Sequence, residues 1–256
     1  MYLGDCRDVL PTIGRVGCVL TDPPYEAEAH TKGRRLLGKQ AGGARTVEYG
    51  ALDFANITEE VRNQSSQLCA NICDGWMLTF CQAEAVAAWR KAHECAGANY
   101  KRAMVWIKPD GAPQFTGDRP GQGYESIVAS WCGSGRSRWN GGGRHGIFTH
   151  AGRDSNHPKQ HMTQKPIALM VELTQLFTSA GTVILDPFMG SGTTGVAALQ
   201  LGRKFIGIEC EERYFEIACS RLEQADAQGQ LFAPSPPKHE QFGLFAQVEM
   251  SVPRQT

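Results

Sequence analysis

The sequence predicts an α/β fold in which seven strands form a mostly parallel, doubly wound sheet with helices on both faces. Short apolar runs alternate with longer segments of helical periodicity, the pattern of strands joined by crossover helices. The 256 residues suffice for one full α/β domain with a substantial core. Two of the apolar runs break off into unusual turn chemistry, "TDPPYE" at 21–26 and "DPFMGSGTTG" at 186–195.

The strand-like runs, in order, are "MYLGD" (1–5), "VGCVLTD" (16–22), "GWMLTFC" (75–81), "YKRAMVWIK" (100–108), "ESIVASW" (125–131), "TVILDPF" (182–188) and "KFIGIEC" (204–210). Helical spacing is expected over 58–73, 83–96, 166–179, 193–201 and 211–225. In the second of these Val86, Ala87, Trp89 and Arg90 keep the period, and Gly97 supplies the stop. Three stretches resist this pattern: 26–50, rich in Gly and Arg, and 109–124 and 132–162, rich in Gly, Arg, Pro and His. Loops of such length in a compact domain are usually functional or mobile. The expected organisation is one main domain over 1–225, with 26–50 and 109–160 as candidate recognition elements, and an unpacked tail over 226–256 containing "APSPPKHEQ".

Lys plus Arg equals Asp plus Glu at 26 each, so the whole chain has no charge bias, although a local basic patch can hide in that average. The nine cysteines form no Cys-x-x-Cys pair and lie scattered through apolar segments, as reduced buried thiols do. No metal is expected. There is no charged-then-apolar leader, and no apolar run approaches the roughly 18 residues of a membrane span. A cytoplasmic protein with no membrane contact is expected.

Gly190, Gly192 and Gly195 spell G-x-G-x-x-G between a strand and a helix, and Glu209 ends the next strand, where a ribose-binding acid belongs. Alone, that pattern admits a nicotinamide or flavin enzyme. Asp186 argues against a dinucleotide, because its carboxylate would face a pyrophosphate at the helix N-terminus. It suits a ligand with a cationic amino group, and S-adenosylmethionine carries an ammonium, a sulfonium and an adenosine.

The first motif then has a chemistry to serve. The exocyclic amine of a nucleobase is a poor nucleophile, because its lone pair is delocalised into the ring. Two acceptors on its N–H groups would free that pair. Asp22 offers one acceptor, and the carbonyl of Pro23 a second, held still because Pro23 and Pro24 fix their φ angles. Tyr25 offers a ring on which the base stacks, a contact of roughly 1–3 kcal/mol. A duplex base would have to flip out to arrive there. Preorganised electrostatics, not a tuned base, would do the work.

"TDPPY" and "LDPFMGSGTT" resemble the catalytic and cofactor motifs of amino-methyltransferases acting on DNA, and their order is similar to the circularly permuted β class. "YLGDCRDVL" resembles the strand whose Gly-Asp lies by the cofactor adenine, which implies Asp5. "MVWIKPDGAP" and "YESIVASW" resemble the middle strands, and "HMTQKPIALM" the segment closing over the methionine end, which implies His161 and Lys165. The resemblance implies a Rossmann-like methyltransferase fold, S-adenosylmethionine as cofactor, and double-stranded DNA as substrate. It also implies cofactor contacts from Asp22, Phe188, Gly190, Ser191, Gly192, Thr193, Thr194 and Cys210. In that family Asp-Pro-Pro-Tyr favours adenine, whereas cytosine enzymes more often carry Ser in the acid's place. Release-factor methyltransferases carry Asn there, so Asp22 argues against a protein substrate. The runners-up are a cytosine amine, an RNA adenine, a DNA-binding regulator without catalysis, and a nicotinamide enzyme.

No large separate recognition domain is visible, so DNA contacts are expected from two basic clusters: Lys32, Arg34, Arg35 and Lys39, and then Arg136, Arg138 and Arg144 with Arg153, where an Arg or Asn140 could reach base edges. Trp106 and Trp139 read as packing residues. So little recognition machinery per chain predicts a homodimer. In the tail, Gln241, Leu244 and Phe245 resemble the peptides that dock bacterial replication proteins to the sliding clamp, although an arm folding back on its own protein explains them more simply.

Overall fold

Residues 16–21 hold no charged side chain, and five of these six are buried; they form a strand covered on both faces. In a computed structural model of the chain, the described residues are 1–25, 35–40, 43–48, 57–111, 113–114, 117–152 and 164–231, with 35–40, 43–48 and 228–231 described by their backbone alone. The strands are β1 (Tyr2–Leu3), β2 (Val16–Thr21), β3 (Arg35–Gln40), β4 (Gly43–Glu48), β5 (Cys73–Cys81), β6 (Asn99–Ile107), β7 (Tyr124–Trp131), β8 (Ile147–Thr149), β9 (Val183–Asp186) and β10 (Lys204–Glu209). The helices are α1 (Cys6–Val9), α2 (Glu59–Ile72), α3 (Val86–Cys95), α4 (Ile167–Phe177), α5 (Thr193–Gln200) and α6 (Glu212–Leu231).

One sheet runs in the order β1-β10-β9-β2-β5-β7-β6-β8. Its pairs are parallel except around β7, which is antiparallel to both neighbours. From β9 the chain moves outward to β10, and from β2 it moves the other way to β5. The two carboxyl ends at this reversal are Asp186 and Thr21, followed by Asp22. Open α/β sheets bind ligands at such a switch point.

Helices α4 and α5 cover one face through a core of Leu20, Leu78, Ile127, Leu169, Leu173 and Ile184, all at most 1% exposed. On the other face α1 and α2 close over Val16, Val19, Met77 and Leu185, while α3 packs Trp89 against Val128. Each large apolar side chain so buried contributes roughly 1.5–3 kcal/mol. Close strand approach needs glycine at one place: a Cβ on Gly75 would stand 2.0 Å from the Gly17 carbonyl oxygen. There the β2–β5 register shifts between Val16 and Cys18.

Four features correct the sequence reading. The sheet has eight strands instead of seven, because Ile147–Thr149 adds an edge strand too short for periodicity to show. Its Phe148, 1% exposed, is what anchors it. The Gly- and Arg-rich stretch is not all loop: β3 and β4 pair as an antiparallel hairpin. Residues 226–231 belong to α6 and not to a tail. The first run shortens to Tyr2–Leu3, because Asp5 caps α1 by accepting from the Arg7 amide at 2.8 Å. Among the described residues, no helix is long and apolar enough to cross a membrane.

Candidate active site

The glycine loop between β9 and α5 is held from below. Asp186 Oδ1 accepts from the Thr21 hydroxyl at 2.7 Å and the Phe188 amide at 3.1 Å, and its Oδ2 accepts from the Thr194 hydroxyl at 2.6 Å. Burial pushes this carboxyl up to about 6 against the pull of those donors. Glu209 holds the loop from the side. Its Oε2 accepts from the Gly190 amide at 2.8 Å, and its Oε1 from the Glu211 amide at 2.9 Å. Gly190 and Gly192 turn the chain at φ +51° and +78°, a region that side chains disfavour. Arg221 of α6 donates to the Ser191 hydroxyl at 3.0 Å and to the Thr193 hydroxyl at 3.2 Å.

Beside this loop, the Asp-Pro-Pro-Tyr segment leaves β2. Asp22 Oδ2 accepts from the Lys165 ammonium, and its Oδ1 is buried with no hydrogen-bond partner among the described residues. Burial raises the Asp22 carboxyl, and Glu125 adds to that, while Lys165 opposes both. The Tyr25 hydroxyl lies 3.4 Å from Lys165 Nζ. Lys165 also stands 3.2 Å from Glu125 Oε2, and Lys108 pairs with the other oxygen of Glu125. Burial alone would raise Glu125, but these two ammonium groups pull it down to about 2.

One cavity of about 340 Å³ opens between the two motifs. Of the expected residues it brings together Asp5, Asp22, Pro23, Pro24, Tyr25, Lys165, Asp186, Phe188, Gly190, Ser191, Thr193, Thr194, Glu209 and Cys210; Gly192 is not in its lining and packs against Ala218 of α6, where a Cβ would stand 3.0 Å away. The lining acids are Asp5, Asp22, Asp186, Glu209 and Glu211. The lining cations are Arg7, which pairs with Asp5, and Lys165, which pairs with Asp22. Such a lining repels a diphosphate and fits S-adenosylmethionine, whose charge centres include a sulfonium and an ammonium. The close backbone approach at the loop glycines, a carboxylate at the ribose position of this fold and apolar Phe188 would hold its parts. Among the described residues no cluster could hold a metal ion.

Other expectations fall elsewhere. His161, Lys32, Arg34 and Arg153 lie outside the described residues, and the side chains of Arg35 and Lys39 on β3 are likewise not described. Arg136 and Arg138 are not brought near Asp22. Strand β7 runs against its neighbours, so the segment after Trp131 leaves the sheet beside Trp76, at the end opposite the cavity. Arg144 pairs with Glu172 at 2.5 Å. Asn140 donates its side-chain amide to the Gln175 and Thr178 carbonyls at 2.9 and 3.0 Å. Trp139 packs on Phe177 with ring centroids 4.8 Å apart.

Sequence reasoning missed Glu125, Lys108, Thr21 and Arg221. The available signal was an acid and a base interrupting apolar strand ends at "YESIVASW" and "VWIKP".

Over residues 129–220 the chain matches a family model described as DNA methylase. A structure of M1.HpyAVI in complex with SAM superposes with a TM-score of 0.67 at 24% identity, covering 86% of this chain and 97% of that one. The fold is the methyltransferase fold. The cytosine-N4-specific PvuII DNA methyltransferase shares it at a TM-score of 0.64 and 14% identity, over 89% of each chain. In sequence, the chain is 26% identical over 252 residues to the Type II methyltransferase M.HinfI of Haemophilus influenzae, covering 86% of this chain and 67% of that protein. A shorter match to M2.DpnII of Streptococcus pneumoniae is 55% identical over 64 residues, 25% of this chain and 24% of that protein.

Proposed function

We propose that this chain transfers a methyl group from S-adenosylmethionine to the exocyclic amine of adenine in double-stranded DNA, with residues 1–231, through the end of α6, as the catalytic unit. The observation that carries the reading is the buried, unpartnered Oδ1 of Asp22, at the wall of an acidic cavity and one residue from a stiffened proline pair. A buried carboxylate oxygen without a donor is costly unless a ligand N–H completes it. When bound, the cofactor supplies an electrophilic methyl on a positively charged sulfur. Asp22 Oδ1 and the Pro23 carbonyl accept from the two N–H groups of a flipped base, and Tyr25 stacks on its ring. The amine nitrogen, so held, regains its lone pair for attack, and sheds a proton after methylation. Asp186 and Glu209 keep the glycine loop in the shape that receives the methionine and ribose parts.

The test is direct. Protein, cofactor and duplex DNA are incubated, and the nucleosides are separated by mass. N6-methyladenine is the expected product. The cytosine amine is the second reading, favoured by the fold likeness to the cytosine-N4-specific PvuII enzyme; N4-methylcytosine would establish it instead. No methylated nucleoside would overturn both.

A further inference from the structure

A chain of alternating charge runs away from the catalytic segment: Asp22, Lys165, Glu125, Lys108. Four separate pieces of the chain supply it. Asp22 follows β2, Lys108 follows β6, Glu125 lies in β7, and Lys165 stands just before α4. Lys165 is 6% exposed; its ammonium donates to Asp22 Oδ2, lies 3.4 Å from the Tyr25 hydroxyl and forms an ion pair at 3.2 Å with Glu125 Oε2. The rings of Phe80, Tyr25 and Trp106 surround its ammonium at 5.0, 5.6 and 6.0 Å and take the place of water there. Asp186 stands on the far side of Asp22, with its oxygens engaged by Thr21, Thr194 and Phe188. The motif resemblance would put this ammonium at the cofactor; here its charge partners are Asp22 and Glu125.

We propose that Lys165 and Glu125 are positioning residues for Asp22. Lys165 pins Oδ2 and sustains the carboxylate's charge, so that Oδ1 alone meets the substrate amine. Glu125 shares Lys165 and thereby limits how strongly its charge acts on Asp22. The inference rests on the functional reading above. It has a signature that a structural role lacks, because the two residues must act on Asp22 in opposite directions. Burial already raises Asp22, so loss of Lys165 raises it further, and loss of the Glu125 charge lowers it.

Turnover is to be measured against pH at saturating DNA and cofactor for the wild type, Lys165→Met and Glu125→Gln, with cofactor affinity measured by calorimetry. Lys165→Met should lose about tenfold or more of turnover at neutral pH and regain it as pH rises. Glu125→Gln should move the acid limb to lower pH, and both should keep the wild-type affinity for the cofactor. An unmoved profile in Lys165→Met, or a loss of cofactor affinity in its place, would overturn the inference. If circular dichroism shows Lys165→Met unfolded, Glu125→Gln decides: a limb unmoved or shifted upward overturns it. A carboxyl 13C titration, with Asp22 assigned by difference against Asp22→Asn, reads the same charges without catalysis. If the wild type methylates no DNA, the function falls, yet an Asp22 midpoint that rises in Lys165→Met still supports the charge chain.

Discussion

At the scale of single residues, Asp22 and Asp186 are two buried carboxylates in adjacent segments with different work. Asp186 spends its oxygens on Thr21, Phe188 and Thr194, whereas Asp22 keeps one oxygen bare. Asp22→Ala should therefore abolish methyl transfer by about 10²–10³ while DNA and cofactor still bind. Retention of a tenth of wild-type turnover would count against the mechanism. Because burial raises Asp22, turnover should fall on the acid side with a midpoint above the ordinary 3.8. Asp186 gives a stability signature. Its carboxyl is raised from 3.8 to about 6, so the folded state binds this proton more tightly than the unfolded chain. Its contribution is present below 3.8 and is lost as pH rises through about 6, on the order of 3 kcal/mol. Asp186→Asn should flatten that part of the stability–pH curve in denaturant titrations; an unchanged slope would assign it to other groups.

At the scale of elements, the glycine loop works only because α5 lies close against β10 and α6. A Cβ on Gly195 would stand 2.5 Å from Leu222 and 2.6 Å from Phe205. Gly195→Val should thus push α5 off its neighbours, lowering stability by roughly 1–3 kcal/mol and weakening cofactor affinity in parallel. A variant with the wild-type melting temperature would show that α5 has room to shift. Glu209→Ala removes the acceptor of the Gly190 amide, and cofactor affinity, measured by calorimetry, should fall with it. An unchanged affinity would remove Glu209 from the cofactor site.

At the scale of the whole molecule, the strand order brings Asp22 and Asp186 together at the switch point although they are far apart in the chain. The same order sends the segment with Arg136 and Arg138 to the far end of the sheet. DNA held at the cavity would then draw on the first basic cluster, so neutralising Lys32, Arg34 and Arg35 should flatten the salt dependence of DNA binding by up to about three phosphate contacts. A second copy of the chain is the proposed helper in holding DNA, and light scattering should report a dimer at micromolar concentration. A fully active monomer would dismiss it. The tail motif at Gln241, Leu244 and Phe245 lies outside the described residues; the proposal that it docks weakly to a sliding clamp is tested by titrating a peptide of residues 238–248 against the clamp, and no binding would dismiss it.

The sequence by itself determined the alternation of strands and helices, the two motifs at strand ends, and the chemistry of Asp22, Pro23, Tyr25 and the glycines. These are local signals: apolar period, proline stiffness, and glycine at positive φ. The tertiary structure alone decided that Lys165 belongs to Asp22, that Glu125 and Lys108 complete its charge chain, and that the segment carrying Arg136 leaves the sheet at the end opposite the cavity. Phe148 could not announce an eighth strand, since three residues carry no period and only pairing with Trp106 makes them one. Side chains from four segments meet at Lys165, and a charge pair leaves no pattern along the chain, because Coulomb forces act through space and not along the sequence.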